Sequence, residues 1–344
     1  MRLLVTGGAG FIGSNFVHYV HRVMPDVTLV TLDLLTYAGN LANLAALEGS
    51  PRHRFVLGDI ADRRMVNDLM AEGFDAVVHF AAESHVDRSI EDASAFVRTN
   101  VLGTHVLLDA ARRHGVGRFV HVSTDEVYGS LGPEGRFQED SPLKPTSPYA
   151  ASKAAADLLV LASTRTYGFP AIVTRCSNNY GPYQFPEKLI PLFITNALED
   201  KPLPLYGDGL HVRDWIYVED HCAALHAILT RGRLGEIYNI GANGEMSNRA
   251  LTATILRELG KPESLIRYVE DRPGHDRRYA IDATKLRSEL GWAPAAGNAE
   301  WLAVTVRWYL ENRSWWEAVK DGAYRSYFER MYRARLDASS AEPL

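Results

Sequence analysis

Thr6-Gly7-Gly8-Ala9-Gly10-Phe11-Ile12-Gly13 lies between the apolar run Leu3-Leu4-Val5 and a helix-forming stretch, Phe11 to Val23. A second apolar run, Thr28-Leu29-Val30-Thr31-Leu32, follows. Periodicity reads these as strand, helix and strand, a βαβ unit. Glycines at such a turn let the chain reverse tightly, bring backbone N–H groups close to a pyrophosphate and pack helix on strand. Asp33 ends the second strand about 20 residues past Gly13, where a carboxylate takes both ribose hydroxyls of an adenosine and repels a 2′-phosphate. A glycine-rich turn alone can be a structural loop. With the strand before it, the helix after it and the acid at this offset, it predicts a dinucleotide site that favours NAD over NADP.

Working outward, further strands are expected at 54–57, 76–80, 118–122 and 171–174, with helical patterns near 62–72, 92–114 and 149–167. Repeated β-α alternation predicts an α/β fold, a doubly wound parallel Rossmann-type sheet over residues 1–176. Strand ends offer more cofactor candidates: Asp59 and Ile60 near the adenine, and Ala81, Ala82 and Ser84 near the ribose and pyrophosphate. His79 and His121 lie inside strand patterns and read as packed core histidines. After residue 176 the rhythm breaks at Pro182, Pro186, Pro191, Pro202 and Pro204, predicting a loop-rich region. Residues 214–241 are expected to return to the first domain. Residues 177–213 and 242–335 form a smaller, mixed α/β substrate domain over the ligand edge, and 336–344 a frayed polar tail. Trp315-Trp316 reads as carboxyl-terminal packing.

The bulk numbers exclude several classes. The chain has 344 residues, a net charge of -5 and 46% apolar content, with Lys and Arg dispersed. This leaves no stripe for nucleic acid or membrane. Cys176 and Cys222 are the only cysteines, which rules out a disulfide framework and fits a reducing, cytoplasmic setting. No leader or membrane-length apolar run stands out. The histidines show no paired ligand spacing, so no catalytic metal is expected. The stretches 98–113 and 150–165 are apolar on more than one side. A second buried face on each predicts a homodimer through a four-helix contact, the alternative being a thicker core.

The chemistry gathers in two segments. Phe119-Val120-His121-Val122 predicts a buried strand, so Ser123-Thr124-Asp125-Glu126 emerge at its carboxyl end, where open α/β sheets place ligands. Tyr149 and Lys153, four apart, share a helix face. Ionising a tyrosine at neutral pH needs about three pKa units, roughly 4 kcal/mol. A cation ~4 Å away at an effective dielectric of ~20 supplies about that much. Lys153 and the positive ring of NAD are expected to supply it jointly, so that Tyr149 takes an alcohol proton while Thr124 shares the hydrogen bond. Simple alcohol oxidation leaves Asp125 and Glu126 unexplained. Either they form an acidic turn, with Asp125 as a helix cap, or they divide acid and base roles in eliminating water beside a carbonyl.

Set after a dinucleotide fold, Tyr149-x-x-x-Lys153 and the strand ending in Ser123-Thr124 resemble the short-chain dehydrogenase/reductase superfamily. More specifically, the chain resembles the dTDP-glucose 4,6-dehydratases. Beside the glycine-rich segment, the resemblance rests on Ala81-Ala82-Glu83-Ser84-His85-Val86-Asp87, Ser123 to Gly129, Ser147 to Lys153, Arg175 to Pro182, Pro186 to Pro191 and Asp271 to Asp276. It covers residues 1 to about 315; the last thirty or so residues carry no part of it. What it implies is oxidation of a sugar at C4 by Tyr149 with NAD, removal of the C5 proton by Glu126, protonation of the C6 hydroxyl by Asp125, and hydride return to C6. It further implies cofactor contacts from Gly7, Gly10, Phe11, Ile12, Gly13, Asp33, Thr36 and Thr99, and from Tyr149, Lys153 and Asn178. Substrate contacts are implied for Ser84, Thr124, Asp125, Glu126, Asn178 and Leu189. Pro204, Tyr206, Asn248, His275 and Tyr279 would line the nucleotide, while Arg213 and Arg272 are suitable forks, and Lys188 a point charge, for the diphosphate. Rival readings are a nucleotide-sugar 4-epimerase, a dehydratase acting on UDP-glucose, and a nicotinamide-sensing binder without catalysis.

Overall fold

The computed structural model describes residues 1–320 and 322–341. Seven parallel strands form the main sheet, in the spatial order Ile237–Ile240, Ala171–Cys176, Arg118–Thr124, Ala76–His79, Arg2–Thr6, Thr28–Asp33, His53–Leu57. The order reverses direction between Arg2–Thr6 and its neighbour Ala76–His79, and a crevice opens there at the carboxyl ends of the strands. The expected doubly wound α/β fold is the one observed. Continuous apolar runs make these strands because both faces are covered. The helices Phe11–Val23 and Val218–Arg231 close one face through Phe16, Val17, Val20, Leu225 and Ile228. The helices Arg63–Met70, Thr104–Arg113 and Pro148–Tyr167 close the other through Val66, Met70, Leu107, Ala111 and Val160. The strand Ile237–Ile240 pairs in register with Val173–Cys176, which ties residues far along the chain to the first sheet.

Two small sheets stand over the ligand edge: Glu245–Ser247, Val212–Tyr217 and Asn178–Tyr180, and the parallel pair Ile266–Val269 with Leu203–Tyr206. A third core, built on Tyr180, Phe193, Trp215, Ile255, Leu302, Tyr309 and Trp316, supports them. The region expected to be loop-rich holds a buried helix, Leu189–Leu198. Pro191 falls in its first turn, where the missing N–H costs no helical bond.

Two further expectations are corrected. The stretch 92–114 is not one regular helix, because Val97–Gly103 winds as a π-helix between Ser94–Phe96 and Thr104–Arg113. Asn100 in that turn donates to the Glu83 carbonyl and to Ser152 Oγ, and accepts from the Glu83 N–H at 2.9 Å. The wider turn thereby braces the loop after the strand Ala76–His79. The tail expected to fray instead carries the helix Gly322–Ala341; residues 342–344 lie outside the described residues. Trp316 is fully buried and donates to the Tyr309 carbonyl, and Trp315 donates to Asn43 Oδ1, as packing residues do.

Candidate active site

The glycine-rich turn is sterically committed. Gly7 has φ +70°, and a Cβ there would stand 2.5 Å from the Ala81 nitrogen. One on Gly13 would fall 2.1 Å from the Gly7 carbonyl oxygen. These contacts leave a backbone-lined cradle below the amino terminus of the helix Phe11–Val23, a favourable place for a diphosphate. Asp33 accepts from the Ala9 N–H at 2.9 Å and the Leu35 N–H at 2.8 Å, one bond on each oxygen. Each oxygen keeps a lone pair for a ribose hydroxyl. The residues present therefore fit a dinucleotide. Asp59 pairs with Arg98 and accepts from the Ala61 N–H, which fixes the far lip of the cleft.

Every residue expected to meet the cofactor lines this one cleft, whose cavity volume is about 300 Å³. Thr36, Thr99, Tyr149, Lys153 and Asn178 are among them. An adjoining pocket of about 160 Å³ is lined by Leu189, Pro204, Tyr206, Arg213, Asn248, Arg272, His275 and Tyr279. Glu126, Asn178, Glu187 and Lys188 belong to both walls and form the threshold between them. Ser84, Thr124 and Asp125 stand on the cofactor side of it.

The strand Arg118–Thr124 delivers Thr124, Asp125 and Glu126 to the cleft, and the two carboxylates open a tight turn at Asp125–Tyr128. Asp125 is buried, and its carboxyl is held well above the usual range, first by burial and then by the charges of Glu126 and Asp214. Glu126 is raised too, again by burial, but Arg272, Lys188 and Arg213 all pull it back down. Adjacent in sequence, the two acids thus meet unequal fields: Asp125 is the natural proton holder and Glu126 the natural anion.

Tyr149 and Lys153 project from the helix Pro148–Tyr167, which opens on Ser147 as its cap and Pro148 at the first position. Lys153 donates to the Val122 carbonyl at 2.9 Å, and burial lowers it to about 8. Tyr149 is raised well above the ordinary phenol value by burial, then by Glu126 and Cys176, while a hydrogen bond to Thr124 lowers it. Burial, ahead of the neighbouring anions, therefore favours the neutral phenol.

In the second pocket Arg272 donates to Asp87 Oδ1 at 2.8 Å, and Arg213 is anchored by the Val212 and Asp276 carbonyls over the Tyr279 ring. Lys188 donates to the Ser84 carbonyl at 2.9 Å. Several residues here escaped the sequence reading. Glu187 is pushed up to about 7 by burial, and Lys188, Arg88 and Tyr37 act against that rise. Tyr206 donates to Asp87 and accepts from Arg335 at 2.8 Å, so the carboxyl-terminal helix, which lies beyond the stretch that carries the resemblance, reaches the pocket wall. His211, Asp271 and His275 bring ligand-type atoms within 4.8 Å of one another, with the two rings stacked at 3.7 Å. No paired spacing signals this cluster because it joins two separate loops.

Behind the site, His79 is held between Thr6 and Thr104 hydroxyls, and His121 lies 3.5 Å from Asp157. Both histidines are buried and shifted down by burial, as core histidines should be.

Comparison with known proteins agrees with this geometry. The family model described as GDP-mannose 4,6 dehydratase matches residues 4–304. The dTDP-glucose 4,6-dehydratase of Streptomyces niveus is 55% identical over 324 residues, covering 93% of this chain and 96% of that protein. The protein of the same name from Xanthomonas campestris pv. campestris is 56% identical, covering 94% and 97%. The crystal structure of DesIV, a dTDP-glucose 4,6-dehydratase from Streptomyces venezuelae with NAD and TYD bound, superposes with a TM-score of 0.91 at 57% identity, covering 93% of this chain and all of that one. A UDP-glucose 4-epimerase from Thermotoga maritima shares the fold at a TM-score of 0.85 but only 29% identity, over 91% of this chain and all of that one. By sequence and by structure, this chain belongs to the dTDP-glucose 4,6-dehydratase family.

Proposed function

We propose that this chain is an NAD-dependent hydro-lyase that converts dTDP-glucose to dTDP-4-keto-6-deoxyglucose. The observation that carries this reading is the unequal pair at the strand end: Asp125 sealed beside Glu126 and Asp214 with Arg213 acting on it, Glu126 facing Arg272, Lys188 and Arg213. An epimerase that only oxidises C4 and reduces it again has no use for that pair.

The glycine-rich cradle and Asp33 would hold the pyrophosphate and the adenosine ribose, with Tyr149, Lys153 and Asn178 at the opposite end of the cleft. When bound, NAD supplies the hydride acceptor for C4, the donor for C6 and a cationic ring beside Tyr149. Tyr149 Oη takes the C4 hydroxyl proton, Glu126 removes the C5 proton once the ketone has made it acidic, and Asp125 protonates the C6 hydroxyl so that it leaves as water. Glu126 then returns a proton to C5. Arg213, Arg272 and Lys188 orient the diphosphate, and Tyr206, Asn248, His275 and Tyr279 the nucleoside.

In this reading residues 1–176 with 214–241 carry the cofactor, and 177–213 with 242–335 the nucleotide sugar. The enzyme works in the cytoplasm, in keeping with Cys176 and Cys222, both free and buried. It pairs as a homodimer through the helices near 98–113 and 150–165, where Leu102 and Leu158 are exposed while Leu107 and Val160 face the sheet. Leu158→Glu should convert a dimer to a monomer in sedimentation analysis; an unchanged species would move the interface elsewhere.

Substrate and reaction are tested together by incubating the protein with dTDP-glucose, UDP-glucose and dTDP-galactose and weighing the products. Loss of one water from dTDP-glucose without added reductant is expected. Unchanged mass with inverted C4 would mean an epimerase, and no reaction on any sugar a binding protein.

A further inference from the structure

The helix Gly322–Ala341 lies beyond the stretch that carries the resemblance, yet it turns one face to the nucleotide pocket. Tyr332 and Arg335, three residues apart, share that face. Tyr332 is buried, lines the pocket and stands 6.0 Å from Tyr206, ring centre to ring centre. Arg335 Nη1 donates to the Tyr206 hydroxyl oxygen at 2.8 Å, and its guanidinium lies 5.2 Å from the centre of the same ring. Neither residue takes part in the reaction proposed above.

From Arg335 a line of hydrogen bonds runs to the diphosphate fork. Tyr206 Oη donates to Asp87 Oδ2 at 3.1 Å, and Arg272 Nη1 donates to Asp87 Oδ1 at 2.8 Å. A phenol has a single O–H to donate. Arg335 occupies the acceptor side of that oxygen, so the O–H is turned to Asp87. With one bond on each oxygen, the plane of the Asp87 carboxylate is fixed, and a planar guanidinium paired with it is fixed in turn. Arg272 lines the pocket, and its Nε is buried with no partner among the described residues. A buried donor left open beside a ligand pocket calls for an acceptor, and a phosphate oxygen supplies one.

Docking of the helix does not account for Arg335. Phe328, Met331, Tyr332 and Leu336 pack on the third core. The Tyr324 O–H reaches the Pro186 carbonyl at 3.0 Å, and Arg330 pairs with Glu91 at 3.2 Å. These contacts anchor the helix without the cation sent to Tyr206. Neutralising Asp87 does not account for it either. Burial pushes the Asp87 carboxyl up, but Arg272, His85 and the Tyr206 hydroxyl together bring it below the ordinary value.

We propose that Arg335 is a positioning residue for the diphosphate fork: it holds the Tyr206 hydroxyl on Asp87, and Asp87 in turn aims Arg272 at the phosphate oxygens of the nucleotide sugar. The helix Gly322–Ala341 thereby belongs to the substrate site and must be docked for the nucleotide to bind at full strength. Arg335 stands outside the pocket lining, so its effect falls on binding and not on the hydride or proton steps. The inference rests on the dehydratase reading and extends its substrate site to a helix that the resemblance does not reach.

Calorimetric titration of the NAD-loaded protein with dTDP, beside steady-state kinetics with dTDP-glucose, tests it. Arg335→Ala should raise the Kd for dTDP and the KM for dTDP-glucose about tenfold, the scale of one hydrogen bond to a charged group, with kcat within about twofold of the parent. Arg335→Met keeps the apolar stem and should do the same, which covers an Ala variant that does not fold. Arg335→Lys keeps a cationic donor and should recover most of the affinity. Tyr206→Phe should weaken dTDP binding as well, and adding Arg335→Ala to it should weaken it no further, because residues in one network are not additive. Arg330→Ala, on the same helix but off the line of bonds, should bind dTDP as the parent does. Parent-like affinity in Arg335→Ala and Arg335→Met, losses that add in the double variant, or an equal loss in Arg330→Ala would each overturn the proposal. Absence of ketosugar from a parent that binds dTDP would instead overturn the dehydratase reading and leave the binding comparison standing.

Discussion

Replacing Asp125 by Asn and Glu126 by Gln together should slow loss of water by about 10³-fold or more while leaving C4 oxidation within about tenfold of the parent, since a positioned acid or base contributes roughly 10²–10⁴ to the step it serves. Both changes keep the shape and hydrogen-bonding capacity of the side chains. They remove the proton held on Asp125 and the charge that Arg272, Lys188 and Arg213 face across Glu126. The prediction is a stalled reaction. Glucose oxidised at C4 with its C6 hydroxyl intact should build up on the protein, together with the near-ultraviolet absorbance of reduced nicotinamide. Equal losses in oxidation and elimination would refute the separate roles. The single variants should differ in pH dependence. Asp125 acts in its protonated form, which its raised pKa preserves at neutral pH. Activity resting on Asp125 is therefore present below its folded pKa and falls as pH rises through it. Glu126 acts as the anion, so its contribution falls as pH drops through its own pKa. Asp125→Asn should abolish the alkaline limb of the elimination rate and Glu126→Gln the acid limb.

The parts of this site legible from sequence are those that local sterics or periodicity dictate. Gly7 and Gly13 are demanded by 2.5 and 2.1 Å approaches that no side chain survives, so the turn is written as glycines. Asp33 and Thr124 follow from strand length, because a parallel strand ends where its ligand begins. The residues of the second pocket were named by family resemblance alone, since no local rule distinguishes Tyr279 or Asn248 from a packing residue. The π-helical turn at Val97–Gly103 depends on Asn100 bonding to Glu83 and Ser152, partners distant in sequence. Arg335 reaches Tyr206 only because the chain folds back across the pocket. The least legible part is electrostatic. The expected ionisation of Tyr149 takes Lys153 and the ring of NAD jointly, against burial and the neighbouring Glu126, which push the phenol up. Desolvation is a property of the assembled site, invisible to spacing.

That balance shapes the last expectation, for Tyr149→Phe. The variant loses a single oxygen from a buried cluster with Val86 and Phe96, and the ring contact with Phe96 at 6.3 Å is kept. Folding and nucleotide binding should therefore change little. Without a base at the C4 hydroxyl, oxidation itself should fall by about 10³-fold, within the range for a removed general base. Its signature is the opposite of the double carboxylate variant: no reduced-nicotinamide absorbance, no ketone and no water lost, with the nucleotide sugar bound intact. The pH profile supplies a second check. The protein's own groups push the Tyr149 phenol up, so the reactive phenolate becomes scarcer as pH falls, and the parent's oxidation rate should drop toward acid pH. In Tyr149→Phe the residual rate should lose that dependence. A Phe variant that still reduces its cofactor at the parent rate would transfer the base role to another group. Glu126, the charge that bears most on Tyr149, would inherit it, and the double variant would then have to lose C4 oxidation as well.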